Sequence, residues 1–239
     1  MKLAILQTGS PPGKLAALFP SYAEMVMSAL GPEFQFTVLD TRRGQLPESR
    51  SAEGFLITGS PCGVHDGEPW ISDLRDWILA SDVARPLVGI CFGHQIMAEA
   101  FGGRVTRAPQ GWGLGFHRYA TTPAFEVPAG QQSFSIPAAH QDQVTKVPPG
   151  AVVAAHSGFC PAAALVYRDR AAISVQGHPE FTPAYADAVI DRRLREGGLT
   201  AHQAQAARRS VRRGGDDRGL VLSWIRRFLW DRTAPPLRA

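Results

Sequence analysis

The sequence predicts a single three-layer α/β domain, with a largely parallel, flavodoxin-like central sheet, a small antiparallel edge and a helical C-terminal tail. Two observations lead to this fold class. Short apolar runs alternate with segments of helical periodicity through the first part of the chain, which is typical of a parallel sheet covered by helices on both faces. The chain has 239 residues, of which 44% are hydrophobic and 19% charged, enough apolar material for one sizeable globular core.

The first part of the chain alternates between strand and helix signals. Its strand candidates are short apolar runs, namely Lys2–Thr8, Phe34–Asp40, Gly54–Thr58 and Pro86–Ile90. The predicted helices of this part are Ser21–Leu30, Pro69–Ser81 and Gly93–Phe101. The second of them begins with proline, which favours the first turn of a helix, and continues with apolar residues at helical spacing. This alternation predicts that the strands pair in parallel.

The middle of the chain, residues 103–177, carries short strand candidates separated by turns. These candidates are Gly115–Ala120, Gln143–Val147, Ala151–Ala155, Ala163–Tyr167 and Ala171–Val175. We expect them to extend the sheet and to form its antiparallel edge. Thr182 and Pro183 then supply the N-cap and first-turn proline of a helix that runs to about Glu196. Two more helices are predicted near 200–213 and 217–231.

The end of the chain is basic. We predict an α/β domain over residues 1–190 and a helical extension over 191–239 that packs on the same domain. This extension holds 12 Arg against five acidic residues, although the whole chain has a net charge of only +4. Because acids are interleaved and no nucleic-acid motif is present, we interpret the arginines as a solvated helix surface, not as a nucleic-acid site. The residues predicted to pack inward are Leu220, Leu222, Trp224, Ile225, Phe228 and Leu229.

Composition also excludes several classes of protein. No apolar stretch approaches the length of a bilayer span, so no membrane association is expected. The beginning of the chain is too quickly polar for a secretory signal, and three cysteines are too few for a disulfide framework. We therefore expect a cytoplasmic protein. The histidines lack the spacing of metal ligands, so we predict neither a metal nor a cofactor; they are His65, His94, His117, His140, His156, His178 and His202.

Cys91 is the candidate nucleophile. It lies in the segment Gly89-Ile90-Cys91-Phe92-Gly93, at the point where a predicted buried strand meets a predicted helix. This is the pattern of a nucleophile elbow, a sharp turn that lifts one side chain above the sheet. The N-terminus of the following helix would favour the thiolate form of the cysteine. The alternative is a small buried cysteine in a tight turn, and neither Cys62 nor Cys160 has a comparable context.

The candidate base and its partner follow another apolar run, Ala171–Val175. The sequence there is Gln176-Gly177-His178-Pro179-Glu180, and the proline disfavours a helix at His178. Because residues two apart in an extended chain face the same way, Glu180 can hold one imidazole nitrogen while the other faces Cys91. This is the arrangement of nucleophile, base and orienting carboxylate. The alternative is a loop histidine beside a surface glutamate.

Four segments together resemble the class I glutamine amidotransferase family. The segment Gly89–Gln95 is similar to its G-x-C-x-G-x-Q signature, and Gly177–Glu180 to its G-H-P-E. Leu56–Pro61 resembles the family's strand-end oxyanion loop. Ala139–Val144 resembles the S-H-G-D-x-V loop in the glutaminase domains of guanylate synthetases. The resemblance covers residues 1–190 and implies that this part is a class I glutamine amidotransferase-like domain.

The resemblance implies roles one position at a time. Cys91 matches the nucleophile, His178 the base and Glu180 its orienting partner. The backbone N–H groups of Ser60 and Phe92 match the oxyanion-hole donors. The residues that match the glutamine pocket are Gly59, Gln95, His140, Gln141 and Asp142. The sequence departs from the family at Ser60 and Gln141, where glycine is usual; a positive φ at Ser60 would be strained.

Three functions follow from these residues. In the leading interpretation the chain is a glutamine amidotransferase that hydrolyses the side-chain amide of glutamine to glutamate and ammonia through a γ-glutamyl thioester on Cys91. Because the chain has no P-loop, the ammonia acceptor would then be a separate synthetase subunit. The alternative is a standalone γ-glutamyl hydrolase or peptidase that uses the same three residues. The third is a non-catalytic, glutaminase-like binding module.

Overall fold

The chain forms one α/β domain with helices on both faces of a central sheet and a C-terminal helical layer. The computed structural model describes residues 1–48, 50–126, 131–213 and 215–233, with residues 232 and 233 described by their backbone alone. The predicted extension 191–239 therefore lies partly outside the described residues, and its boundary at residue 190 stays a prediction. The predicted fold class is confirmed.

Most of the strands and helices lie close to their predicted positions. The strands are Lys2–Gln7 (β1), Gln35–Asp40 (β2), Gly54–Ile57 (β3), Leu87–Ile90 (β4), Arg104–Arg107 (β5), Gly113–Thr121 (β6), Ser133–His140 (β7), Asp142–Lys146 (β8), Ala151–His156 (β9), Ala164–Tyr167 (β10) and Ala172–Val175 (β11). The helices are Tyr22–Leu30 (α1), Pro69–Ala80 (α2), Phe92–Ala100 (α3), Pro183–Arg195 (α4), Ala201–Arg213 (α5) and Arg218–Thr233 (α6).

The main sheet has the strand order β2-β1-β3-β4-β11-β10-β9-β6-β7. The five strands from β2 to β11 pair in parallel, and the four from β10 to β7 pair antiparallel. Strands β5 and β8 form a separate antiparallel pair. The antiparallel part thus has four strands, more than the small edge expected from the sequence.

Alternation along the parallel strands divides the core into two layers. On β1, Leu3 and Ile5 pack with α1 and α6, whereas Ala4 and Leu6 pack with α2 and α3 on the opposite face. Helix α1 begins with a capping box, in which the Ser21 hydroxyl accepts from the Glu24 N–H and the Glu24 carboxylate accepts from the Ser21 N–H.

Strands β5 and β7 were not predicted. The sequence of β7 includes Pro137, which argues against a central strand because proline cannot donate to the ladder. Strand β7 lies at the edge of the sheet, where this missing donor costs little, and the Pro137 carbonyl accepts from the N–H of His178. An edge strand that carries a proline therefore supports the backbone of the candidate base.

Helix α6 packs on the core of the domain. Four of the residues predicted to pack inward are buried, namely Leu222, Trp224, Ile225 and Leu229. The other two, Leu220 and Phe228, are partly buried against the same core, and Val221 is buried with them. None of the arginine side chains that the structure describes between residues 191 and 231 is buried, and five of the ten are exposed, but two of the others have specific partners. The Arg226 side chain donates to the carbonyls of Ala29 and Leu30 at the end of α1, and Arg208 of α5 pairs with Asp187 and Asp191 of α4. None of the helices in the described parts of the chain has the length and hydropathy needed to cross a bilayer.

Candidate active site

The candidate site lies where neighbouring parallel strands end. Thr8, Thr58, Cys91 and Gln176 each follow the last residue of β1, β3, β4 and β11, which are adjacent in the sheet. The carboxyl ends of parallel strands are where open α/β sheets bind their ligands. The two motifs that the sequence singled out therefore meet at one edge.

Cys91 occupies a strained turn between β4 and α3. Its φ is 51° and its ψ −99°, and it is the sole non-glycine residue with positive φ in the described part of the chain. The strain is accompanied by close packing of glycines. A Cβ on Gly89 would lie 2.6 Å from the Gly93 carbonyl carbon, and one on Gly93 would lie 2.4 Å from the Ile57 carbonyl oxygen. This sharp strand-to-helix turn has the backbone form of a nucleophile elbow.

His178 and Glu180 form a buried pair beside Cys91. The imidazole Nδ1 and the carboxylate Oε1 are 2.7 Å apart, and each residue is less than 5% exposed. The Phe181 ring stacks on the imidazole at 3.8 Å between centroids and fixes its plane. A Cβ on Gly59 would lie 2.8 Å from His178 Cε1 and 3.6 Å from Cys91 Cβ. The imidazole and the cysteine therefore both flank Gly59.

The charge state of His178 is set by its neighbours. Burial lowers the pKa of His178, but the Glu180 carboxylate and the Cys91 sulfur, within hydrogen-bond reach, outweigh that effect and raise the pKa to about 10. The imidazole is thus held as its cation at neutral pH. A cationic imidazole therefore lies beside the Cys91 sulfur.

The peptide plane between Gly59 and Ser60 is held from one side. The Gly59 carbonyl accepts from the hydroxyls of Thr8 (2.9 Å) and Thr58 (3.1 Å), both fully buried. Because the N–H of a trans peptide points opposite to its carbonyl, the Ser60 N–H faces away from the two threonines. The Ser60 hydroxyl donates to the Thr8 carbonyl at 2.8 Å, and Ser60 has no positive φ. The strain considered for a serine here is absent.

Of the five predicted pocket residues, Gly59 flanks His178 and Cys91, and the other four line a cleft beside them. Gln95 donates to the Asp142 carbonyl (2.7 Å) and to the Gln176 side chain (3.2 Å). His140 is buried, with its Nδ1 3.0 Å from the Asp142 carbonyl, and burial lowers the pKa of His140 to about 3, so its ring is neutral. Gln95, His140, Gln141 and Asp142 line one cleft together with Cys91 and His178. The cleft encloses about 240 Å³.

Sequence reasoning missed the other walls of this cleft. Tyr22 and Tyr185, whose hydroxyls are 3.2 Å apart, line it beside Phe181. Trp112, Arg192 and Arg193 also line the cleft. The signal that could have found part of this wall is the helical spacing of Tyr185, Val189, Arg192 and Arg193 on α4. Trp112 lies in the loop just before β6, and no sequence pattern marked it.

The remaining cysteines and His94 have other surroundings. Cys62 also lines the cleft, although the sequence around it did not indicate a place in the site. Cys160 is buried away from the cleft wall, and burial raises its pKa to about 12. His94 is fully buried, with its Nδ1 2.7 Å from the Ser174 hydroxyl, and burial lowers its pKa to about 3. Cys91 therefore differs from both other cysteines in having a cationic imidazole beside it.

Comparison with known proteins agrees with this geometry. The family model described as glutamine amidotransferase class-I matches residues 22–194. The chain belongs to the class I glutamine amidotransferase family. Over 225 residues, 88% of each chain, it is 29% identical to γ-glutamyl peptidase 4 of Arabidopsis thaliana. It is also 29% identical to a glutamine-hydrolysing GMP synthase subunit from Methanocaldococcus jannaschii, over 57% of this chain and 69% of the relative.

Solved structures of the family show the same fold. A glutamine amidotransferase from Thermotoga maritima covers 98% of this chain and 98% of its own, with a TM-score of 0.68 and 19% identity. A glutamine amidotransferase from Methylobacillus flagellatus covers 97% of this chain and 93% of its own, with a TM-score of 0.67 and 25% identity. Because these superpositions span nearly the whole chain, they include the C-terminal helices as well as the sheet.

Proposed function

We propose that this amidotransferase-family chain is a cysteine-dependent hydrolase of γ-glutamyl amide bonds. The observation that supports this most is Cys91 on its strained turn, beside a buried imidazolium that a carboxylate holds at 2.7 Å. The three residues supply a nucleophile, a proton donor and acceptor, and an orienting charge. A purely binding module would have no need of a strained cysteine next to a charged imidazole.

The proposed reaction begins with the Cys91 thiolate, which attacks the γ-carbonyl carbon of the substrate. The negative oxygen that forms accepts hydrogen bonds from the N–H groups of Ser60 and Phe92; Phe92, the first residue of α3, has no acceptor within its helix. His178 then gives a proton to the leaving nitrogen. The C–N bond breaks, the amine or ammonia departs, and a γ-glutamyl thioester remains on Cys91.

Hydrolysis of the thioester completes the proposed cycle. The neutral His178 takes a proton from water, and the resulting hydroxide adds to the thioester carbon. The C–S bond breaks, glutamate is released, and the thiolate and imidazolium are restored. Throughout, Glu180 holds Nδ1 of His178 and leaves Nε2 for the substrate and the water.

Two observations favour γ-glutamyl peptides over free glutamine as the better substrates. The Gly59 carbonyl is already held by two threonine hydroxyls, so the Ser60 donor needs no partner protein to orient it. The γ-glutamyl peptidase relative also matches along most of the chain, whereas the GMP synthase relative matches over little more than half. We therefore propose a standalone γ-glutamyl peptidase. With three free cysteines, we place it in a reducing compartment such as the cytoplasm.

A second candidate is the glutaminase that the sequence favoured, which would pass ammonia to a separate synthetase subunit. It is supported by the loop that ends β7 and begins β8, whose residues His140, Gln141 and Asp142 line the cleft, and by the GMP synthase relative. Such an enzyme gains nothing by consuming glutamine alone, so its isolated activity should be low.

Kinetics of the isolated chain on glutamine and on γ-glutamyl dipeptides separates the two candidates. The peptidase proposal expects efficient cleavage of the dipeptides, on the order of 10⁴ M⁻¹s⁻¹ in kcat/KM. Weak turnover of both, with glutamine hydrolysis restored by a synthetase subunit, would replace it with the partnered glutaminase. The absence of any reaction, with or without a partner, would contradict both.

A further inference from the structure

Two groups of charged side chains line the cleft. In the first group, two carboxylates flank Gly63, since a Cβ there would lie 3.2 Å from an oxygen of Asp66 and 3.2 Å from one of Asp142. Arg107 stands beside them, 3.7 Å from Asp142. The second group consists of Arg192 and Arg193 on α4. The first group therefore offers both signs of charge, and the second is cationic.

The charged group around Gly63 already suits the γ-glutamyl unit. The α-carbon of that unit carries an ammonium and a carboxylate, and the carboxylates beside Gly63 together with Arg107 offer one partner for each. Gln95, which bonds to the Asp142 carbonyl, lines the same cleft as Cys91. The zwitterion of a γ-glutamyl substrate thus needs no further cation.

The arginine pair is held in position by aromatic and acidic contacts. The Arg193 guanidinium carbon lies 3.8 Å from the centre of the Trp112 ring, and its buried Nε has no hydrogen-bond partner among the described residues. Glu196 is shared between Arg192, at 2.8 Å, and Arg193, at 3.3 Å. One carboxylate for two guanidinium groups leaves an excess positive charge at the cleft wall.

Other acids of α4 do not neutralise this charge. Asp187 and Asp191 both pair with Arg208 of α5. Helix α5 in turn packs against β6, where the Ser210 hydroxyl accepts from the Phe116 N–H at 2.9 Å. Arg208 of α5 therefore neutralises both of these carboxylates, and Arg192 and Arg193 remain available to a ligand.

The distance along α4 indicates which part of a substrate reaches the arginine pair. Tyr185 packs on Phe181, which stacks on His178, so it marks the position of the scissile bond. From Tyr185 to Arg192 the helix rises roughly 10 Å. An extended peptide advances about 3.5 Å per residue, so one or two residues beyond the amide bond, together with the reach of an arginine side chain, span this interval.

We propose that Arg192 and Arg193, backed by Trp112, bind a free carboxylate on the leaving group, so that the substrates are short γ-glutamyl peptides with a free C-terminus. This inference rests on the proposed hydrolysis of γ-glutamyl amides and adds the chemical class of the leaving group. Bidentate guanidinium–carboxylate pairs would supply both affinity and orientation. A peptide with a blocked C-terminus would lose them.

The test compares a γ-glutamyl tripeptide that has a free C-terminal carboxylate with the same peptide as its C-terminal amide. We expect the wild-type protein to prefer the free acid by about tenfold in kcat/KM, through a lower KM. Arg192→Gln and Arg193→Gln should remove most of this preference, while the fall in kcat/KM on glutamine should be much smaller. Arg195→Gln is the matched control, because Arg195 is exposed on the same helix and does not line the cleft.

A binding measurement separates this inference from the proposed reaction. Calorimetry with the two peptides in the Cys91→Ala background should show the same preference for the free acid and the same loss in the arginine variants. Equal binding of acid and amide would overturn the carboxylate site, even if the wild type hydrolyses both. Equal damage to glutamine and peptide kinetics would also overturn it, since the arginines would then hold the glutamyl carboxylate. Preferential binding without turnover of any γ-glutamyl compound would instead reject the proposed reaction and retain the site.

Discussion

The parallel and antiparallel halves of the sheet contribute different things to the cleft. From the parallel half come the ends of β1, β3, β4 and β11, which carry the threonine pair, Cys91 and the chain that leads to His178. From the antiparallel half and the helices packed on it come Trp112, the end of β7 and the arginine wall of α4. The proposed chemistry lies on the first half, and the proposed choice of leaving group lies on the second. Changes in the first half should therefore lower kcat, and changes in the second should mainly alter KM.

The largest loss is expected from Cys91→Ala. Without the sulfur no thioester can form, so turnover of γ-glutamyl substrates should fall to background, while the fold should persist because the side chain is small. The measurement is kcat together with a thermal unfolding curve. Cys160→Ser is the control, since Cys160 lies outside the cleft wall; its kcat per folded molecule should match the wild type. Wild-type turnover in Cys91→Ala would reject the enzyme proposal.

Glu180→Gln should give the next largest effect. The amide keeps the shape of the side chain but removes the charge that holds Nδ1, so kcat should fall on the order of 10²-fold to 10⁴-fold with little change in KM. If kcat is unchanged while His178→Ala is inactive, another group must orient the imidazole.

The same substitution should change the pH dependence of stability. The pKa of His178 is raised from 6.5 to about 10 in the folded chain, so the folded protein keeps a proton that the unfolded chain releases above pH 6.5. This contribution to the free energy of unfolding is complete below pH 6.5 and is lost as the pH rises through 10. Glu180→Gln should weaken this dependence, which denaturant titrations between about pH 6 and 10 can measure. An identical pH dependence in both proteins would contradict the assignment.

A smaller loss is expected from Thr8→Val. Valine keeps the volume of threonine but removes one of the two hydroxyls that hold the Gly59 carbonyl, so the Ser60 N–H should be less well oriented. We expect kcat to fall about tenfold, equivalent to roughly 1.4 kcal/mol, with KM nearly constant. Thr41→Val is the matched control, because the Thr41 hydroxyl is also buried at a strand end but donates to the Gln7 carbonyl. Equal effects of the two changes would argue against a specific role for the threonine hydroxyls at the Gly59 carbonyl.

The two halves also differ in how far the sequence predicted them. Cys91 and His178 could be placed because each follows an apolar strand within a short motif, and adjacent strand ends meet. The antiparallel half gave no such signal. Pro137 argued against β7, and the Trp112 contact with Arg193 joins residues that are far apart in the chain. The hydrogen bonds from Thr8 and Thr58 to the Gly59 carbonyl were missed for the same reason, since they depend on which strands are neighbours.

The Arg-rich end of the chain was also predicted only in part from the sequence. Its helical pattern and apolar residues were predicted correctly, because periodicity is local. The specific partners of Arg226 and Arg208 were not predicted, because they depend on what packs against each arginine. The Arg226 side chain donates to the last carbonyls of α1. Arg208 pairs with Asp187 and Asp191 of α4, so these carboxylates do not neutralise the arginines that line the cleft.

Labelling with a chloromethyl ketone analogue of glutamine tests the central claim most directly. The reagent presents the γ-glutamyl unit with an electrophilic carbon near the position of the scissile carbonyl, and peptide mapping by mass spectrometry locates the adduct among Cys62, Cys91 and Cys160. We predict one equivalent of label on Cys91, prevented by excess γ-glutamyl peptide and strongly slowed in His178→Ala. A label on Cys62, which shares the cleft but lacks the strained turn and the imidazole, or no label that substrate prevents, would contradict the account.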